Sequence, residues 1–560
     1  MKRALAAAAA MIAASALVAQ AAPKPFTVVE STIADMRTAL EKHRVTSRQI
    51  VTEYLTRIAT YEDTLHAALY VNRHALGEAD ALDRERRAGH IRGPLHGIPI
   101  ALKDNMQTTD MPTTGGALAF DGFVPPYEAT LVANLRAAGA IIIAKTGMTE
   151  LANWVAGAPT PMPGNYNALG GFGFNPYDPR RDTRPLTFDG RPALGTGGSS
   201  SAVGTAANLW AANIGTETSG SILSPSNQSM LAGIKPTVGR VSRYGVIPIT
   251  ADQDTPGPMA KSVTDVAMLL GVLEGVKPDP HDAATNACAP PPRHDYTRML
   301  SRNALKGARI GVPRAFFYDR FNGRGGLTPA QSIVMADAIV AIEKLGAVVV
   351  DPADIPSVIA TDPARNANAW GTCAGVGDGR GNDQGCSIVL KYGMKRDFNN
   401  WLLTLGARAP VKSLTELREW NLAHRNAGAI RYGQAALDIS DEMDVERDRD
   451  RYLADRAKDI RLSATEGIDA IMNAQRLDAL LFPGANGSAI AAKPGYPSVI
   501  VPFGLVPNAP GQPFPPDFDA KPQPFGVTFT GMACSEPRLL ALAYSFEQAT
   551  RRRVPPPGAP

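Results

Sequence analysis

Two stretches of small and polar residues, Gly197-Gly-Ser-Ser-Ser201 and Gly215-Thr-Glu-Thr-Ser-Gly-Ser221, flank an alanine-rich apolar run. A chain written this way places a short apolar helix between two glycine-rich loops. It gathers hydroxyls and bare backbone N–H groups around one point. Ser199 and Ser221 are 22 residues apart, and Lys103 lies upstream in Gly97-Ile-Pro-Ile-Ala-Leu-Lys-Asp-Asn105. A serine hydroxyl is a weak nucleophile until a base takes its proton. The chemistry on offer is a serine, a second serine and a lysine, with no histidine beside any of them.

A lysine acts as a base only when neutral, so its pKa must fall well below the usual value of about 10.4. Burial does this by disfavouring the ammonium. Ile98, Ile100, Ala101 and Leu102 form an apolar strand that carries Lys103 inside. The adjacent Asp104 points the other way on a strand and need not restore the charge. Standing alone, Lys103 also reads as a surface lysine at a strand end.

These motifs, together with Gly233-Ile-Lys-Pro-Thr-Val-Gly239 and Asp254-Thr-Pro-Gly-Pro-Met-Ala260, occur in an order that resembles the amidase signature family. The resemblance is strong from about residue 26 to 275, weak through the middle, and returns near Gly495-Tyr-Pro-Ser-Val-Ile-Val-Pro502. It implies an amidase that splits a carboxamide C–N bond through an acyl-enzyme. Ser221 would be the nucleophile, Ser199 the bridging serine and Lys103 the base, with the amides of Thr218, Ser219 and Gly220 as oxyanion hole. Gly215-Thr-Glu-Thr and Asp252-Gln-Asp-Thr-Pro-Gly-Pro-Met look most like the peptide amidase branch, which makes small carboxamides or peptide C-terminal amides the expected substrates. In that family the bridging serine follows a cis peptide bond, which outside proline costs about 2.5–4 kcal/mol.

Two departures stand out. Ser219 occupies a position where the family usually has glycine, and the 199-to-221 interval is two residues shorter than usual. Matching Gly-Gly-Ser-Ser selects Ser199, while a sliding alignment selects Ser200. Ser200 and Ser201 also suit a helix N-cap cluster. Ser224 and Ser226, with Pro225 between them, compete with Ser221 and suit a turn into the next helix. A catalytically silent amidase-fold protein that binds amides or a partner is the alternative to an enzyme.

Other chemistry has little support. The sequence has no Gly-x-Ser-x-Gly, no His-Glu-x-x-His and no Cys-x-x-Cys, and its eight histidines are scattered. No metal site or cofactor is expected. Gly375-Val-Gly-Asp-Gly-Arg-Gly381 lacks the Lys-Ser/Thr of a P-loop and reads as a flexible loop.

Met1-Lys2-Arg3, the apolar run Ala4 to Ala19 and Ala19-Gln20-Ala21 read as a signal peptide cleaved near Ala21. An uncleaved anchor is the other reading. The expected location is the periplasm or the extracellular space, without stable membrane insertion after cleavage. A net charge of +4 gives no basic patch for nucleic acid. With the export signal, this argues against a tRNA-dependent transamidase. The four cysteines suit an oxidising compartment. Cys373 and Cys386 are close enough in sequence to bridge, with free buried thiols as the alternative.

Thr46-x-x-Gln49 marks a capping box, followed by Ile50, Val51, Tyr54, Leu55 and Ile58 on one helical face. Leu95 to Leu102 and Gly139 to Ala144 read as buried strands, the second after a helix beginning near Thr130. The expected fold is α/β: one large α/β/α domain over residues 22–560, with a mixed sheet covered by helices on both faces. Its motif core spans about 80–275, followed by a variable substrate-side region over about 276–475. Pro278 to Pro292 reads as a surface connection, and Asp438 to Arg461 as a solvated helix with side-chain pairs. Val506 to Phe525 is expected at the substrate mouth. Tyr166 to Arg191 either lines a pocket or packs as a surface loop.

Overall fold

The computed structural model describes residues 26–559; the expected signal peptide lies outside them. Eleven strands form one sheet. In chain order they are β1 (Ala68–Val71), β2 (Pro99–Lys103), β3 (Ile141–Thr146), β4 (Ala212–Glu217), β5 (Ala232–Lys235), β6 (Thr255–Ala260), β7 (Arg309–Gly311), β8 (Val348–Val350), β9 (Ala479–Pro483), β10 (Ser498–Val506) and β11 (Gln523–Thr530). Their spatial order is β1-β3-β2-β4-β6-β5-β10-β11-β9-β7-β8. β2 runs parallel to β3 and β4, and β7 runs parallel to β8 and β9. The strands between these two parallel blocks pair antiparallel. The sheet is therefore mixed and flanked by helices, as the alternating strand and helix patterns require.

Local signals explain the elements that set the site. The helix Ser47–Leu65 starts at Thr46, whose hydroxyl accepts from Gln49 N while the Gln49 side chain accepts from Thr46 N. Ile50, Val51, Tyr54 and Ile58 form its buried face. β2 and β3 are buried along their whole length, as continuous apolar runs demand, and the helix Thr130–Ala137 precedes β3.

A second apolar core, separate from the one on the sheet, lies among the helices Val389–Leu405, Leu414–Ala423 and Ala435–Asp441, with Phe120, Trp154 and Tyr166. The expected single solvated helix over Asp438 to Arg461 is instead the end of one helix, a turn, and the helix Arg449–Ile460. Its charges are partly internal. Buried Asp459 accepts from Ser387 Oγ (2.7 Å), Trp370 Nε1 (3.0 Å) and Lys493 Nζ (2.7 Å). The stretch 375–381 is tied down rather than loose: Asp378 accepts from Ala374 N and Gly375 N, and Cys373 is bonded to Cys386. A second disulfide joins Cys288 to Cys534. No helix among the described residues is long and apolar enough to cross a membrane.

Candidate active site

Lys103 ends β2 and is fully buried. Its Nζ donates to Thr216 O (3.1 Å) and Thr216 Oγ1 (2.9 Å) on the neighbouring β4. Asn105 Nδ2 donates to the same hydroxyl at 2.9 Å. Desolvation lowers the Lys103 pKa to about 8, against the opposing pull of Asp254 and Glu217. At that value a large share of the amine is neutral near pH 8, the state in which it can accept a proton.

Ser199 is the N-cap of the helix Ser200–Ala206. Its hydroxyl accepts from Ser201 N at 3.3 Å and pairs with Ser201 Oγ, which in turn accepts from Asn213 Nδ2 at 3.0 Å. Ser200 is committed elsewhere: its hydroxyl exchanges hydrogen bonds with the Asn165 amide at 2.7 and 2.9 Å. The geometry therefore leaves Ser199, not Ser200, on the side of the glycine loop. The cis peptides among the described residues are Ala158–Pro159 and Asp351–Pro352, so the bond before Ser199 is trans, unlike the family pattern. Ser199 is extended and bridged to Met148.

Ser221 closes the loop after β4. Gly198 approaches it so closely that a Cβ there would lie 2.9 Å from Ser221 Oγ. Gly197 has φ +69°, and a Cβ on it would fall 2.5 Å from Pro225 N. The paired glycines are thus required for the two loops to meet. The backbone N–H groups of Thr218, Ser219, Gly220 and Ser221 donate to no protein acceptor among the described residues. The segment is held from behind. Thr218 Oγ1 donates to Asp254 at 2.5 Å, and the Glu217 carboxylate accepts from Ile222 N and Leu223 N. Ser219 is exposed and lines the cavity, so the residue that stands in place of glycine adds a side chain to the site.

A cavity of about 600 Å³ opens over Ser221, lined also by Gly197, Gly198, Gly220, Ser224, Gln228 and Asn486. Ser226 is excluded as a nucleophile: it is fully buried and faces Gly233 of β5. Ser221 lines the cavity whereas Lys103 and Ser199 do not, and no hydrogen bond joins any two of the three. From the region Tyr166 to Arg191, only Arg191 reaches the cavity, while Tyr166 packs against Phe172 and Tyr432. Val506 to Phe525 does not line it. That segment lies behind the wall, where Arg184 donates to Gln512 O, Arg180 to Phe518 O and Asn508 to Ala193 O. Gln228 was not singled out in the sequence, although its spacing of four and seven residues after Ser224 and Ser221 carried the signal.

The family model described as Amidase matches residues 49–540. The chain belongs to the amidase family. A probable amidase of Arabidopsis thaliana is 32% identical over 95% of this chain and 92% of its own. A glutamyl-tRNA(Gln) amidotransferase component of Thermosynechococcus vestitus is 32% identical over 93% of this chain and 98% of its own. Among solved structures, the native peptide amidase of Stenotrophomonas maltophilia is 36% identical, covers 95% of this chain and 99% of that one, and gives a TM-score of 0.79. This amidase is accordingly a hydrolase of amide C–N bonds.

Proposed function

We propose that this amidase hydrolyses the C-terminal carboxamide of peptides, and related small carboxamides, outside the cytoplasm. The observation that carries the reading is Ser221 lining an open cavity in a segment whose backbone N–H groups are unclaimed, in a chain whose buried Lys103 is lowered to about 8. The likeness to the Stenotrophomonas peptide amidase supports the substrate class. The N-terminal charged and apolar runs and the two disulfides support export.

In this mechanism Ser221 Oγ attacks the carboxamide carbon while its proton passes through Ser199 to neutral Lys103. The N–H groups of Thr218, Ser219 and Gly220 hold the tetrahedral oxyanion. The proton returns through Ser199 to the nitrogen, the C–N bond breaks and ammonia leaves. Water then attacks the Ser221 ester by the same relay and releases the carboxylate. The relay requires Lys103 and Ser199 to exchange their bonds with Thr216 and Ser201 for one another. Catalytic hydrogen bonds often form only once substrate is bound.

Ammonia release from amidated dipeptides and small carboxamides tests the reading, with Ser221→Ala and Ser199→Ala as controls. Release that Ser221→Ala abolishes supports it. Release that survives Ser221→Ala removes Ser221 as nucleophile, and no release from amidated peptides removes the substrate class.

A further inference from the structure

Ser221, Ser224 and Gln228 line one wall of the catalytic cavity at helical spacing. The turn is already helical at its start, where Ser224 N donates to Gly220 O at 2.7 Å, and it continues as the helix Leu223–Gln228. Among the described residues, the Gln228 side chain has no hydrogen-bond partner. Its Oε1 is sealed from solvent without a partner, and among the described residues its Nε2 donates to no protein acceptor. Its backbone, in contrast, is fixed, since Gln228 O accepts from Asn175 Nδ2 at 2.8 Å. A glutamine held at its backbone, with its Oε1 turned inward and its Nε2 uncommitted, offers an N–H donor to the cavity. A buried amide atom left unpaired costs stability unless a ligand satisfies it.

The rest of the cavity narrows the ligand. Arg191 is the one charged residue lining it, and its guanidinium is already held by Asp189 at 2.9 and 2.7 Å. Nothing there recruits a charged acyl chain. At helical rise the seven positions from Ser221 to Gln228 span about 10 Å, and an extended peptide advances about 3.4 Å per residue. Gln228 therefore lies level with a peptide group about three residues before a carboxamide placed at Ser221. We propose that Gln228 is a specificity residue that hydrogen-bonds this upstream peptide group and favours amidated peptides of three or more neutral residues over single amino-acid amides. The proposal rests on the reading of Ser221 as the nucleophile.

The test compares acetyl-trialanine amide with acetyl-alanine amide. Binding to the Ser221→Ala protein is followed by calorimetry, with and without Gln228→Leu, so the outcome does not depend on turnover. The longer ligand is expected to bind more tightly, and Gln228→Leu is expected to shrink that preference about tenfold, the scale of one lost hydrogen bond. In the turnover-competent protein, the ratio of kcat/KM for the two amides should fall by the same factor. A preference unchanged by Gln228→Leu, both ligands weakened alike, or no preference in the parent protein overturns the proposal. Failure of the nucleophile assignment shows separately, as ammonia release that persists in Ser221→Ala.

Discussion

Lys103 and Asp104 are neighbours in sequence, and their side chains bond to residues on the two strands that flank β2. Lys103 donates to Thr216 on β4, whereas Asp104 accepts from Lys145 Nζ at 2.8 Å and from Thr114 N at 3.0 Å. Separate partners on β4 and β3 thus keep a fully buried amine apart from the carboxylate beside it. Asp104 is used up by another fully buried lysine, and the charges that act on Lys103 are Asp254 and Glu217.

With Lys103 as the proposed base, the rate should depend on pH in a defined direction. With Lys103 at about 8, kcat/KM should rise with pH and reach half its plateau near 8. Burial raises Asp254 to about 6, so it is ionised throughout the Lys103 titration and holds the lysine protonated. Asp254→Asn removes that charge and leaves an acceptor for Thr218. The acid limb should then move down by about 1 pH unit. Initial rates between about pH 6 and 10 check this, and an acid limb that stays in place would show that Asp254 does not act on Lys103.

Glu150 gives a second pH dependence, in stability rather than rate. It is buried, and desolvation raises it to about 8. A folded pKa above the unfolded value means the native state binds more protons between about 4.5 and 8. Its contribution is therefore fully present below pH 4.5 and is lost as pH rises through 8. Glu150→Gln should flatten the decline in Tm across that window and should raise Tm at about pH 8.5. Melting curves at about pH 5 and 8.5 decide it, and parallel declines in both proteins would refute it.

How much of this was legible in the sequence depends on the range of the interaction. The capping box at Thr46 and Gln49, the buried β2 and β3 and the approach of Gly197-Gly198 to Ser221 follow from local pattern or motif. The Asp104–Lys145 pair did not, because nothing local tells which of two adjacent charges finds a partner 41 residues away. The charged run ending at Arg461 misled for the same reason. Its helical spacing suits solvated pairs, but Asp459 is claimed by Trp370, Ser387 and Lys493 from distant segments. Proline content placed 506–525 in a long loop without saying which wall it would back.

The two disulfides should not be equivalent. Cys373–Cys386 closes 13 residues and Cys288–Cys534 closes 246. In the chain-entropy account, these constrain the unfolded state by about 3 and about 5 kcal/mol. Cys288→Ser/Cys534→Ser should therefore lower the urea midpoint more than Cys373→Ser/Cys386→Ser. Equal losses would show that local support of the 373–386 loop, rather than chain entropy, sets the scale.

Leu151, Ala152 and Asn153 all adopt left-handed backbone, at φ +42°, +56° and +74°. Asn153 lines the cavity, and Leu151 N is anchored to Gly115 O at 2.8 Å, so this turn is held from one side and used on the other. Asparagine tolerates the conformation, but for alanine it costs about 1–2 kcal/mol. Glycine removes that cost and adds about 0.5–1 kcal/mol of unfolded-chain entropy. Ala152→Gly should therefore stabilise the protein by about 0.5–1 kcal/mol in urea unfolding. It should also raise KM for amidated peptides more than it changes kcat, because the wall carrying Asn153 loosens while Ser221 and its amides stay in place. Loss of stability would show that the turn is not strained, and a fall in kcat alone would tie it to the chemistry instead of the pocket.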